Sequence, residues 1–305
     1  MIIDNPKSIL AFDLDGTITP RNQFEIHPKG LSQLLNDLSN QGHFFIPVTG
    51  KPVAYAAKIF SANNLIDRGI IAENAGVYRK PNSQKIEIYG PSIKEMYALR
   101  DKLGIGMEKV NVTDIFIDQK KYEVAVDPDD VSILTIFTDP TYVTHRWKFN
   151  HSIEAELLVE KINNIITSNN WQNTLSVLPP FPDRAIQIIR KDPISGHSID
   201  KSSIIFALNA IYPNIDTIPI AMFGDGHNDI PAMKPDKVIP ITFTNAHSDV
   251  LTYVKSKNGY ISPHNAPEDL GVPDGLLWLA KNNFFKEDTN AVHHLITRYF
   301  PSLVG

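Results

Sequence analysis

Ser8-Ile9-Leu10-Ala11-Phe12-Asp13-Leu14-Asp15-Gly16-Thr17 is a short apolar run that ends in two acids and a turn. A run of that length reads as a buried strand. Working outward, Leu31, Leu34, Leu35 and Leu38 recur at the spacing of one face of an amphipathic helix. His43–Val48 is again strand-like, Val53–Phe60 helical, and Gly69–Ala72 a third buried strand. Strands alternating with helices predict an α/β fold, a Rossmann-like doubly wound parallel sheet.

The pattern changes after about Tyr78. Lys85–Tyr89, Lys121–Val126 and Ala185–Arg190 read as strands, and Ile93–Leu103 and Ile153–Ile166 as helices. Longer strands with two helices describe an α+β insert. From Lys201 the first pattern returns, with helices at Ser202–Ile211, Ser248–Ser256 and Leu276–Asn283 and strands at Ile218–Phe223 and Val238–Ile241. The expected organisation is a split core, residues 1–80 and 191–305, interrupted by a cap domain over residues 81–190. Leu178-Pro179-Pro180-Phe181-Pro182 reads as a rigid surface loop near the insert's end.

The chain has 305 residues, 42% hydrophobic and 21% charged, enough apolar material for two domains or one large one and no case for disorder. Its formal net charge of −5 argues against binding a nucleic-acid backbone by bulk charge. No cysteine is present, which excludes disulfides, thiolate metal sites and cysteine nucleophiles. No segment reads as a signal peptide or a membrane helix, so the expected location is cytoplasmic with no membrane partner. Secretion without a cleaved signal would leave no mark of this kind.

In open parallel sheets, sites form at the carboxyl ends of the strands. Here those ends are polar. The first strand runs into Asp13 and Asp15, the second into Thr49-Gly50-Lys51, and the Ile218–Phe223 strand into Gly224-Asp225-Gly226-His227-Asn228-Asp229. Four acids at two strand ends call for a shared cation.

With Lys201, these stretches resemble the four ordered motifs of the haloacid dehalogenase superfamily, in its phosphatase branch. The placement of the insert is similar to the subfamily IIB members with an α/β C2 cap, which include Cof-like, sucrose-phosphate, mannosyl-phosphoglycerate and trehalose-phosphate phosphatases. Asn245-Ala246 and Asp274-Gly275 resemble the tail of that subfamily. The resemblance implies a Mg²⁺-dependent phosphomonoester hydrolase working through a phosphoaspartyl intermediate on a small phosphorylated metabolite such as a sugar phosphate.

The chemistry of the residues leads to the same assignment. A phosphate ester resists an anionic nucleophile, so hydrolysis needs a screening cation, an in-line nucleophile and an acid for the leaving oxygen. Asp13 and Asp15 are the expected catalytic pair, nucleophile and acid. Asp13, Asp15, Asp225 and Asp229 are the expected metal group, and hard oxygen donors favour Mg²⁺. Thr49, Gly50, Lys51, Lys201 and Asn228 are the expected phosphate-binding set, with Lys201 balancing charge near Asp13. Lys51 stands where many relatives carry arginine, which keeps the charge and loses the planar fork.

Other polar features carry weaker signals. Glu73-Asn74-Ala75-Gly76 resembles a Glu-Asn-Gly element with an inserted alanine, and either supports the phosphate loop or turns the chain toward the cap. His227 reads as a solvent-facing loop histidine, and His293-His294 receives no role. In the insert, Asp183, Arg184, Gln187 and Arg190, with His145, Arg146 and Lys148 around Trp147, are candidates for substrate recognition beside the plainer reading of a solvent face. Competing functions on this fold are a phosphomutase, a protein phosphatase whose open cap admits a phosphorylated loop, and a non-catalytic phosphate-ligand module. The last has no need to keep all four aspartates.

Overall fold

The computed structural model describes residues 5–21, 23–51, 53–83, 85–88, 98–99, 102, 111–117, 120–126, 133–137, 145–149, 152–177, 185–191 and 199–303. It divides into two compact units, Met1–Glu87 with Lys201–Gly305, and Ile88–Asp200.

In the first unit, β1 (Ser8–Phe12) leads through α1 (Leu31–Asn40) to β2 (His43–Pro47), then through α2 (Val53–Ala62) to β3 (Ile70–Ala72), β4 (Val77–Arg79) and β5 (Ile86–Ile88), whose last residue already counts to the second unit. Every residue of β1 and β2 is buried, as continuous apolar strands covered on both faces must be. The four leucines of the predicted face, Leu31, Leu34, Leu35 and Leu38, are all buried in α1. At about 1.5–3 kcal/mol for each such side chain, that one stripe outweighs the helix's lack of a side-chain cap.

The second unit carries β6 (Asn111–Ile117), β7 (Lys120–Val126), β8 (Ile133–Phe137), β9 (His145–Phe149), α3 (Ser152–Ser168), β10 (Leu175–Val177) and β11 (Ala185–Arg190). They form a six-stranded antiparallel sheet in the order β10-β11-β9-β8-β7-β6. Gln187 on β11 pairs in register with Arg146 on β9, so two of the expected recognition positions are backbone neighbours. Asp183, Arg184, Leu178–Pro182 and most of Ile93–Leu103 lie outside the described residues.

The first unit resumes with a 3₁₀ turn at Lys201–Ser203, then α4 (Ile204–Ile211), β12 (Ile220–Phe223), α5 (Ile230–Met233), β13 (Val238–Phe243), α6 (Ser248–Ser256), β14 (Tyr260–Ser262), α7 (Gly271–Lys281) and α8 (Thr289–Tyr299). Its main sheet is parallel, in the order β14-β13-β12-β1-β2. Alternation sorts its side chains. Ile9, Ala11, Phe44, Ile46, Ile220 and Met222 pack with α4 and with Val250 and Val254 of α6. Phe12 stacks on Phe223 at 4.4 Å and meets Phe45 at 5.4 Å on the opposite face, where Gly275 of α7 lets the helix approach Phe223. The sheet is doubly wound, as expected.

The third strand is the exception. β3 pairs antiparallel with β4 in a separate three-stranded sheet, β3-β4-β5, and is joined to the main sheet by a parallel bridge between Val48 and Ile71. A tight turn at residues 73–76 folds the chain back on β3, so β4 is its hydrogen-bonding neighbour. Among the described residues, no helix is long and apolar enough to cross a membrane.

At the amino ends of the strands, His43 is 1% exposed. Its Nδ1 lies 3.0 Å from Ser8 Oγ, its Nε2 3.4 Å from Asp288, and its ring meets Phe285 edge-on at 4.8 Å. Burial outweighs the attraction of Asp288 and lowers its pKa to about 4. The unfolded chain therefore takes up a proton that the folded chain refuses. Stability from this residue is present above its ordinary value of 6.5 and is lost as pH falls toward 4, by up to about 3 kcal/mol. Chemical unfolding of the parent and of His43→Gln across pH 4–7 checks this: the stability difference between the two should narrow or reverse toward acid, and two parallel profiles would contradict it.

Candidate active site

The site is assembled by register. Phe12 lies opposite Phe223, and the Asp13 amide donates to the Phe223 carbonyl at 2.9 Å. Asp13 and Gly224-Asp225 therefore leave the sheet side by side. The chain runs from β1 to β2 on one flank and through β12, β13 and β14 on the other, so this edge is the crevice where the winding reverses.

Three carboxylates converge there. Oxygens of Asp13, Asp225 and Asp229 lie within 4.8 Å of one another. Lys201 is fully buried among them, with Nζ 2.8 Å from Asp13 Oδ1 and 2.5 Å from Asp229 Oδ1. The other Asp229 oxygen accepts the Gly226 amide at 2.9 Å, and Asp225 Oδ1 accepts from the Thr17 hydroxyl at 3.0 Å. Two glycines make room. A Cβ on Gly16, whose φ is +86°, would stand 2.5 Å from Asp225 Oδ2, and one on Gly224 would stand 2.5 Å from the Asp229 carboxyl carbon.

Burial and mutual repulsion tell in the protonation of the group. Burial, then Asp229, raises the Asp13 pKa to about 7 against the pull of Lys201. Burial, then Asp13, raises Asp225 to about 6, and burial raises Asp229 also. Burial works against the charge on Lys201, yet Asp13 and Asp229 outweigh it and hold its pKa above the ordinary lysine value. Three carboxylates outnumber the one ammonium among them, so with all groups ionised the cluster carries excess negative charge. The donors are all hard oxygen with no imidazole or sulfur, so charge and chemistry both fit Mg²⁺.

Asp15 is placed differently from the other acids. Its carboxylate accepts the Tyr55 hydroxyl at 2.7 Å and pairs with Lys51 Nζ at 3.0 Å, and it does not join the three-carboxylate group. Lys51 also lies over the Tyr55 ring at 4.9 Å. Tyr55 was not among the sequence candidates, because one tyrosine in the first turn of a helix carries no chemical signal until the fold sets α2 beside the β1 loop. Arg21, 80% exposed and 4.0 Å from Asp225 Oδ2, was missed for the same reason.

The Thr49-Gly50-Lys51 loop is held by the turn after β3. The Thr49 amide donates to the Ile71 carbonyl at 3.1 Å, Asn74 donates to the Thr49 carbonyl at 3.0 Å, and Glu73 to the Lys51 carbonyl at 3.1 Å. Glu73, Asn74 and Ala75 are successive left-handed residues with φ of 49°, 56° and 65°, a conformation costing roughly 1–2 kcal/mol at each side-chain-bearing position. The two hydrogen bonds to the loop over-determine this run. The element thus both turns the chain and supports the loop. A Cβ on Gly50 would come within 3.0 Å of the Asn74 amide oxygen.

The remaining sequence candidates separate cleanly. Asn228 is exposed on the 3₁₀ turn His227–Asp229. Asn245 exchanges hydrogen bonds with the backbone of Ala266 at 2.7 and 3.1 Å, and Asp274 accepts from Tyr260 and Ser262 at 2.8 and 2.7 Å. Both are ties between elements. His293 and His294 join no potential metal group among the described residues. Of the insert candidates, Arg190 is buried.

The comparisons bear on fold and family. The chain resembles a phosphatase of the haloalkanoate enzyme superfamily from Bacteroides thetaiotaomicron, at 13% identity over 91% of this chain and 94% of that one, with a TM-score of 0.56. A haloacid dehalogenase-like hydrolase from the same organism gives 15% identity, 94% and 99% coverage, and a TM-score of 0.55. The sucrose-phosphatase from Synechocystis, solved with sucrose and phosphate, gives 11%, 92% and 98%, and 0.51. No curated protein matches the chain by sequence. At such identities these likenesses speak for the fold. The profile of one family, the haloacid dehalogenase-like hydrolases, matches residues 10–266, a span containing the whole carboxylate cluster and its lysine, and the chain belongs to that family.

Proposed function

We propose that this chain is a Mg²⁺-dependent phosphomonoester hydrolase working through a phosphoaspartyl intermediate on Asp13. The observation that carries the reading is the pairing of buried Asp13 with buried Lys201 beside two further carboxylates. Asp13, Asp225 and Asp229 would hold the metal. When bound, Mg²⁺ screens the charge between nucleophile and phosphate.

Asp13, held at one oxygen by Lys201, attacks phosphorus as the ester P–O bond breaks. The leaving oxygen takes the proton of Asp15, which enters this step as the neutral acid with its Lys51 ion pair released. Water then attacks the phosphoaspartate, Asp15 takes the water's proton, and inorganic phosphate leaves with Asp13 restored. Thr49, Gly50 and Lys51 border the transferring group, and Asn228 stands at the rim. Tyr55 and Lys51 position Asp15.

The substrate is a small phosphorylated metabolite, with a sugar phosphate as the leading class. Support comes from the likeness to a sucrose-phosphatase fold. The unit Ile88–Asp200 serves as the cap that reads the part of the substrate beyond the phosphoryl group. A screen of phosphorylated sugars, other metabolites and phosphopeptides for phosphate release tests this assignment. Preference for phosphopeptides would overturn it.

Chelation should abolish turnover of an aryl phosphate, and added Mg²⁺ should restore it. Asp13→Asn should lower kcat by about 10³-fold or more with the fold retained. Turnover in metal-free buffer, or an active Asp13→Asn, would refute the mechanism. Asp15→Asn should slow alkyl phosphates by ~10²–10⁴-fold. With an activated aryl phosphate the same variant should accumulate phosphate on Asp13, which mass spectrometry detects. Tyr55→Phe removes one hydrogen bond to a charged group and should lower kcat roughly tenfold with KM little changed. An equal change in KM alone would assign Tyr55 to substrate binding instead.

A further inference from the structure

On the outer side of the loop that carries Asp225 and Asp229, two histidines and a carboxylate meet at the surface. His227 belongs to the turn after β12, His247 precedes α6, and Asp249 lies in the first turn of α6. Nitrogens of the two histidines and an oxygen of Asp249 fall within 4.8 Å of one another. His227 Nδ1 is 3.3 Å and His247 Nδ1 3.8 Å from Asp249 Oδ2, and the imidazole rings stand 6.2 Å apart.

We propose that His227, His247 and Asp249 form a second cation site, selective for a borderline-soft divalent ion of the Zn²⁺ class. Nitrogen and oxygen ligands at about 2.0–2.1 Å on a tetrahedron lie roughly 3.3–3.4 Å from one another. The His227–Asp249 separation already matches, His247 lies a few tenths of an ångström too far from Asp249, and the two histidine nitrogens, within 4.8 Å of each other, come to ligand spacing by side-chain rotation. The backbone that presents the ligands is fixed, since the His247 amide donates to the Asp225 carbonyl and the Asp229 amide to the Gly226 carbonyl, both at 2.9 Å. The side chains are 52–70% exposed, which leaves a position open to water and admits the ion from solvent.

The donor chemistry separates this site from the carboxylate cluster. Two imidazoles with one carboxylate suit Zn²⁺, Co²⁺ or Ni²⁺, whereas an all-oxygen set suits Mg²⁺. One contact opposes binding: His247 Nδ1 faces the Asp249 amide at 3.5 Å, and that long hydrogen bond must give way to the metal. The N-terminal end of α6 also disfavours a cation, an effect that the Asp249 carboxylate offsets. Occupancy ties the motif loop to α6 through side chains as well as through backbone.

The test is direct binding by the full-length chain, stripped with chelator and then held in millimolar Mg²⁺. Calorimetric titration with Zn²⁺ should show one site per chain, and Co²⁺ should give the visible absorption of a tetrahedral, nitrogen-ligated ion. His227→Gln and His247→Gln should each weaken Zn²⁺ binding by about tenfold or more, while Asp225→Asn, which alters only the carboxylate cluster, should retain it. In the parent, Zn²⁺ should shift the NMR signals of two histidines, a readout that needs no variant. No Zn²⁺ binding with Mg²⁺ present overturns the proposal. Binding lost in Asp225→Asn and kept in both histidine variants also overturns it, placing zinc in the carboxylate cluster. None of these readouts depends on phosphatase activity.

Discussion

The arrangement of the core depends on one buried ammonium among carboxylates. Lys201 has no access to water, and a charge in that position persists only where opposite charges lie within hydrogen-bond distance. Asp13 and Asp229 meet that demand. They overfill it, because Asp225 adds a third negative charge, and the protein answers with raised carboxyl pKa values. Each of these carboxyls is thereby harder to ionise than an ordinary aspartate, and a nearby positive charge eases that cost. The same interaction binds distant parts of the chain together, since Asp13 follows β1 and Lys201 begins the second stretch of the core.

Much of the surrounding backbone follows from making room for this cluster. Gly16 and Gly224 are sterically required by the carboxylates of Asp225 and Asp229. Thr242 donates to the Gly224 carbonyl at 2.7 Å and is itself fully buried, so the loop is anchored from β13 as well as from β12. On the other flank, the left-handed run Glu73–Ala75 is an unfavourable local conformation sustained by hydrogen bonds to the Thr49–Lys51 loop. Strain there and crowding at the glycines mark one edge of one sheet. The opposite edge carries the His43 contacts, which concern stability and lie away from the site.

Legibility in the sequence followed the range of the interactions. Helix α6 spans Ser248–Ser256 and β11 spans Ala185–Arg190 as the periodicity predicted, because each element is written in its own side chains. Short strands such as β4, β10 and β14, three residues each, carry too few residues for a period and were not anticipated. Gly69–Ala72 was recognised as a strand but placed in the main sheet, since local apolarity does not specify a partner.

The sequence by itself determined the alternation of strands and helices, the polar strand ends, and the family motifs with Asp13, Asp225, Asp229 and Lys201. These are local patterns, and local order along the chain suffices to read them. Only the tertiary structure decided that Asp15 faces Tyr55 and Lys51, 40 and 36 positions away, and not the other three acids. It alone brought His227 to His247 and Asp249, across the whole of α5 and β13. A side chain's partner is set by where the sheet register and helix packing deliver it, and that is a property of contacts between elements, which no single stretch of sequence contains.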